Sequence, residues 1–197
     1  VSAFLLNRSS DLYTTPIVEQ AARAVLDVVG LQDGQCLFLS SGSEAVEFAV
    51  QAALKSSGKP KFLTMVDSFL ASYGSAGSRP PEQWHCFDWA ECDVCPKVDA
   101  CDPRCEKIAA LPFGDLAAWV FEPGSSSGLI RFPPQGLIRV INSKIREYDG
   151  ILIANEVTTG MGRTGKWFGH QHYDLKPDII ALGKGLGNGY PVSAVVM

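Results

Sequence analysis

Five short apolar runs, each closing on polar or small residues, set the strongest limit on what this chain can fold into. They span residues 36–39, 61–66, 116–121, 151–157 and 178–182. Runs this short and this apolar read as strands buried on both faces. Between them lie segments with helical spacing: 17–29 with Pro16 near its start, 45–54, and 134–148 with Leu137, Val140, Ile141 and Ile145 on one side. Ser41 and Glu44 have the form of a capping box, so the first run leads through a tight turn into a helix N-terminus. Short buried strands alternating with helices predict an α/β fold, a mostly parallel sheet sandwiched by helices. The 197 residues, 46% hydrophobic and 19% charged, are enough for one sizeable core. In such sheets ligands bind beyond the carboxyl ends of the strands. Ser41-Gly42-Ser43, Glu122, Asn155 and Lys184 all stand at or just past those ends.

Lys184 follows the last run and sits among glycines, Gly183-Lys184-Gly185-Leu186-Gly187. A lysine amine can form a Schiff base with a carbonyl, including that of pyridoxal phosphate. Gly42 and Ser43 open a helix, where free N–H groups and the positive end of the dipole suit an anion such as phosphate; an N-cap without a ligand would carry the same residues. Phe69 follows a strand and can stack on a flat ring or sit in a core. Glu122, before Pro123, fits a salt bridge as well as a site. His170 and His172 fall in a polar loop and read as surface residues. Gly160-Met161-Gly162-Arg163-Thr164-Gly165 has the spacing of a dinucleotide fingerprint, but the residues after it carry little helical pattern, which excludes that reading. Lys184 is not a phosphate-loop lysine either, because Gly185 stands where Ser or Thr is required.

The segment 78–105 breaks the pattern, with Pro80, Pro81, Trp84, Trp89 and five cysteines, and reads as an insertion or long loop. Cys92, Cys95, Cys101 and Cys105 lie close enough in sequence to close a structural zinc site or hold an iron–sulfur cluster; free thiols in a loop are the competing expectation. Cys36 stands alone in a strand and reads as core. A net charge of −4 gives no footprint for nucleic acid, and no apolar run is long enough to span a membrane. Residues 1–8 are too short and wrongly flanked for a signal peptide, so a cytoplasmic, reducing setting is expected.

Together these motifs resemble the class III aminotransferases, of pyridoxal-phosphate fold type I, from about residue 12 to residue 197. The strongest part carries Glu156-Val157, Thr159-Gly160, Gly162-Arg163-Thr164-Gly165, Pro177-Asp178-Ile179 and Lys184-Gly185-Leu186 in the family's order and spacing, and Ser41-Gly42-Ser43-Glu44-Ala45 matches its phosphate turn. The resemblance implies transfer of an amino group between an amine or amino acid and a 2-oxo acid or aldehyde, in a homodimer. Lys184 would form the Schiff base with the cofactor and later shuttle the proton. Gly42 and Ser43 would hold the phosphate, Phe69 and Val157 would cover the two faces of the ring, and Thr158 would lie near the phenolic oxygen, where the family often has glutamine. Glu122 matches the Glu of a Glu-Pro pair near the site. Leu70-Ala71 departs from the His-Gly usual beside Phe69.

Asn155 is the departure that matters most, because the family has aspartate there. A carboxylate keeps the pyridine nitrogen protonated and the ring a strong electron sink; a neutral amide can only hydrogen-bond. Slower transamination, other carbanion chemistry such as racemisation, and a weakened homologue that binds cofactor or metal are the alternatives this opens. The family's threonine beyond the lysine and its C-terminal small domain have no counterpart here. Residues 1–197 therefore read as a pyridoxal-phosphate-binding large domain, apparently cut at both ends.

Overall fold

The apolar runs become five strands of one seven-stranded sheet. The computed structural model describes residues 15–127 and 130–197; residues 1–8, with the signal-peptide question, lie outside them. The strands are β1 (Cys36–Leu39), β2 (Lys61–Met65), β3 (Trp84–Phe87), β4 (Leu116–Phe121), β5 (Ile151–Asn155), β6 (Ile179–Leu182) and β7 (Ser193–Val196), in the order β1-β7-β6-β5-β4-β2-β3. Strands β2 to β6 pair in parallel, and β7 runs antiparallel to both β1 and β6. All six residues of β4 are buried, which is why its sequence shows no polar alternation.

Two faces of the sheet take different helices. Helix α1 (Pro16–Val29) starts at a proline, where a missing N–H costs nothing. Helix α2 (Gly42–Ser57) packs Ala45, Val46, Ala49, Val50 and Ala53 on Phe62, Ala118, Val120 and Ile153. Its alanines let the helix lie close to the strands. The short α3 (Gly74–Ser78) follows β2, and α4 (Gln135–Glu147) covers the other face, with Leu137, Ile138, Ile141 and Ile145 on Leu63, Trp119, Phe121 and Leu152. Ala22 of α1 joins Cys36, Ile180, Leu182 and Val196 on that side. Each of these large apolar side chains adds roughly 1.5–3 kcal/mol by leaving water.

The structure differs from the sequence reading in the segment 78–105. Residues Trp84–Phe87 form β3, an edge strand parallel to β2, and Trp84 stacks on Phe62 with ring centroids 4.9 Å apart. Trp84 and Phe87 are buried on opposite faces of the sheet while Cys86 is exposed, so a short edge strand shows the sequence no period-2 alternation. The zinc or iron–sulfur expectation also fails on geometry. Cys92 and Cys101 pack against the α4-side core, whereas Cys95 and Cys105 face solvent. The four lie on or beside the short helical turns Ala90–Asp93, Val98–Ala100 and Glu106–Ala109. Among the described residues no group of three or more His, Cys, Asp or Glu side chains is placed to hold a metal ion. Burial pushes the Cys92 and Cys101 thiols up. Among the described residues no helix is long and apolar enough to cross a membrane.

Candidate functional site

The carboxyl ends of β1, β5 and β6 open on a cleft of about 190 Å³, and Gly42, Ser43, Phe69, Asn155, Val157, Thr158 and Lys184 all line it. Glu122, at the end of β4, stands behind Phe69. Residues from five separate segments thus meet because parallel strands end on the same edge.

One end of the cleft is the start of α2. The expected capping box is present: Ser41 Oγ accepts the Glu44 N–H at 3.2 Å, and Glu44 Oε2 accepts the Ser41 N–H at 3.0 Å. The amides of the first helical turn have no intrahelical acceptor, so Gly42 and Ser43 present donors and the positive end of the dipole to the cleft. Gly42 has a packing reason as well. A Cβ there would lie 2.6 Å from Val157 Cγ1, so only glycine lets Val157 wedge against the helix start. Ser43 Oγ accepts the Ser72 N–H at 2.9 Å, tying the segment after Phe69 to α2.

Lys184 follows β6 with φ 38°, in the left-handed region, where a non-glycine residue costs about 1–2 kcal/mol. Its Nζ donates to Thr158 Oγ1 at 2.8 Å. Asn155, only 1% exposed, ends β5. Its Nδ2 donates to the Phe69 carbonyl at 3.1 Å, and its Oδ1 accepts the Val157 N–H at 3.3 Å. That second contact turns the chain out of the sheet, so β5 ends at Asn155 and not at 157. Phe69 is 44% exposed, a ring held at the cleft rather than in the core.

Glu122 is buried and holds the other side of Phe69. Its Oε2 accepts the Phe69 N–H at 2.8 Å, and its Oε1 accepts the Ser126 hydroxyl at 2.6 Å. Burial lifts its carboxyl above the usual range, opposed by the Ser126 and Phe69 hydrogen bonds and the Lys184 charge. A raised folded-state pKa makes this contribution to stability complete below the unfolded value near about 4.3 and lost as pH rises through the folded value. Glu122→Gln keeps an acceptor for Phe69 and removes the ionisation. The variant is therefore expected to gain stability over wild type progressively as pH rises, and to gain none in acid. Denaturant melts of both proteins across pH check this; a difference that does not change with pH contradicts it.

The sequence reading missed Glu156 and His170. Glu156 is fully enclosed: Oε1 accepts the His170 N–H at 2.7 Å and lies 2.9 Å from His170 Nδ1, while Oε2 accepts the Thr159 hydroxyl at 2.6 Å and the Gly169 N–H at 2.8 Å. His170 is 6% exposed and stacks on Phe168, so it is not the surface residue expected. His172 is half-buried, with Nε2 3.1 Å from the Thr164 carbonyl. Glu156 staples both ends of the loop that carries Thr158. One signal pointed to it, a carboxylate placed directly after a buried strand, which needs partners. Across Thr158 a second cavity of about 670 Å³ opens, walled by Ile130, Phe132, Pro133 and Tyr173 with Arg163 at its edge.

The model of the aminotransferase class-III family matches residues 91–197. The chain belongs to the class-III aminotransferases. The family match takes in Glu122, Asn155, Val157, Thr158 and Lys184. Acetylornithine aminotransferase of Methanopyrus kandleri is 32% identical over 200 residues, covering 95% of this chain and 48% of that protein, so the likeness reaches back to the Gly42-Ser43 turn and Phe69. An S-selective transaminase from Arthrobacter sp. superposes with a TM-score of 0.79 at 28% identity, over 95% of this chain and 48% of that one. Taurine:2-oxoglutarate aminotransferase from Bifidobacterium kashiwanohense, solved in complex with PLP and glutamate, shares the fold with a TM-score of 0.76 at 21% identity, over 94% of this chain and 47% of that one. This class-III aminotransferase chain spans about half the length of the curated relatives it matches.

Proposed function

We propose that this chain is the cofactor-binding large domain of an enzyme that moves an amino group from an amine or amino acid to a 2-oxo acid or aldehyde, with pyridoxal phosphate joined to Lys184. The observation that carries the reading is the placement of the Lys184 amine in a cleft that has a helix N-terminus at one end and Phe69 and Val157 on its walls. The residues fit the group. Gly42 and Ser43 offer phosphate its donors. Phe69 and Val157 supply two apolar surfaces for a flat ring, and Glu122 and Asn155 fix the backbone of Phe69 so that its ring stays at the cleft. When bound, pyridoxal phosphate supplies an aldehyde for attachment and a conjugated ring that withdraws electrons from the substrate carbon. Lys184 then holds or moves a proton at its Nζ, with the Thr158 hydroxyl fixing where that nitrogen waits. The larger cavity beyond Thr158 gives room for an apolar substrate body.

We further infer a homodimer, as the family resemblance implies, and a cytoplasmic setting, which the six free cysteines support. Asn155 favours a second reading, racemisation or a weakened homologue. The test is a half-reaction on the intact, cofactor-loaded protein. N-acetylornithine, alanine or a simple primary amine should convert the cofactor from its aldehyde to its amine form, read by absorbance. Exchange of the substrate α-hydrogen with deuterated solvent, without that conversion, favours racemisation. No conversion by any donor, with cofactor attached at Lys184, overturns the transfer reading.

A further inference from the structure

Asn155 is held in one orientation by two backbone groups of opposite kind. The Val157 N–H can only donate, and it meets Oδ1 at 3.3 Å; the Phe69 carbonyl can only accept, and it meets Nδ2 at 3.1 Å. Turning the amide over would set N–H against N–H and oxygen against oxygen, so the assignment of the two ends follows from the partners. The Phe69 backbone is fixed independently, because Glu122 takes its N–H at 2.8 Å. Asn155 Nδ2 carries two hydrogens. One goes to Phe69, and the other is left for whatever fills the cleft that Asn155 lines.

We propose that Asn155 meets the ring nitrogen of the bound cofactor as a hydrogen-bond donor, and so holds that nitrogen unprotonated. This rests on reading the cleft as a pyridoxal-phosphate site. An N–H can bond only to a lone pair, and a protonated ring nitrogen has none to offer. The asparagine therefore does more than lack a charge. It selects the opposite protonation state from the one an aspartate favours, and the ring draws electrons less strongly. The surroundings suit the amide. An aspartate placed here would set a carboxylate oxygen against the Phe69 carbonyl at a distance where only a shared proton makes the contact favourable. Asn155→Asp should therefore loosen the tie that holds Phe69 at the cleft even before any cofactor binds.

The experiment uses the intact protein loaded with pyridoxal phosphate carrying nitrogen-15 in its ring. The wild-type ring nitrogen should resonate at the position of an unprotonated pyridine, and Asn155→Asp should move it to the protonated position. Without cofactor, Asn155→Asp should melt at a lower temperature than wild type. A protonated shift in the wild-type protein overturns the proposal, and needs no variant to be seen. A failure of the labelled cofactor to attach at Lys184 is a different result. It overturns the reading of the cleft, and the proposal falls with it.

Discussion

Replacing Lys184 with alanine should abolish amino transfer by the intact protein, a loss of at least about 10³-fold, the scale on which positioned proton-transfer groups act. On the proposed reading the variant loses the amine that would join the cofactor, the nitrogen that Thr158 holds at the cleft. The fold should hardly register the change. Lys184 is exposed, its one side-chain hydrogen bond is worth about 0.5–1.5 kcal/mol, and the strained backbone at φ 38° is the same for alanine. Activity and stability therefore separate: turnover vanishes while the melting temperature stays near wild type. Lys184→Arg, which keeps the charge but cannot form the covalent link, should be as inactive as alanine. Steady-state assays with melting curves for both variants check this, and retention of turnover by either contradicts the role given to Lys184.

Glu156→Ala should be the most destabilising single change near the site. The carboxylate accepts from four donors, the Thr159 hydroxyl, the Gly169 and His170 amides and His170 Nδ1, all within 2.9 Å. Alanine leaves those buried donors without an acceptor, at a cost of about 3–5 kcal/mol, as for breaking a buried hydrogen-bonded pair. Glu156→Gln should cost less, since an amide oxygen still serves one side of the staple and the Thr159 hydroxyl can accept from the amide nitrogen. Cofactor affinity should fall with stability, because the loop stapled by Glu156 carries Thr158. Denaturant melts rank the three proteins, and an alanine variant within about 1 kcal/mol of wild type would show that the staple is not holding the loop.

What the sequence disclosed and what it hid have distinct physical causes. β4 and β5 were legible because a strand buried on both faces must be apolar throughout, and nothing else in a chain of this composition looks like Leu116 to Phe121. β3 was not, because an edge strand of four residues shows only Trp84 and Phe87 to the core and lies among prolines and cysteines that signal a loop. Its partner, β2, lies some twenty residues away, and pairing at that distance leaves no local mark. Asn155 and Lys184 could be placed at one edge of the sheet from chain order, since the first ends one parallel strand, the second lies just past its neighbour, and adjacent strands deliver both there. The partners of Asn155 and Glu156 could not. The Phe69 carbonyl, the Gly169 amide and His170 come from distant parts of the chain, and a buried carboxylate announces that it needs donors without saying which. The cysteines misled for the converse reason: close sequence spacing did not become, among the described residues, a group of side chains placed to hold a metal ion.

Borohydride reduction of the intact protein after incubation with pyridoxal phosphate, followed by peptide mapping, tests the central claim most directly. A single modified peptide bearing the reduced cofactor on Lys184 is the predicted result. A protein that takes no label at Lys184, or that is labelled only at other lysines such as Lys166, contradicts it.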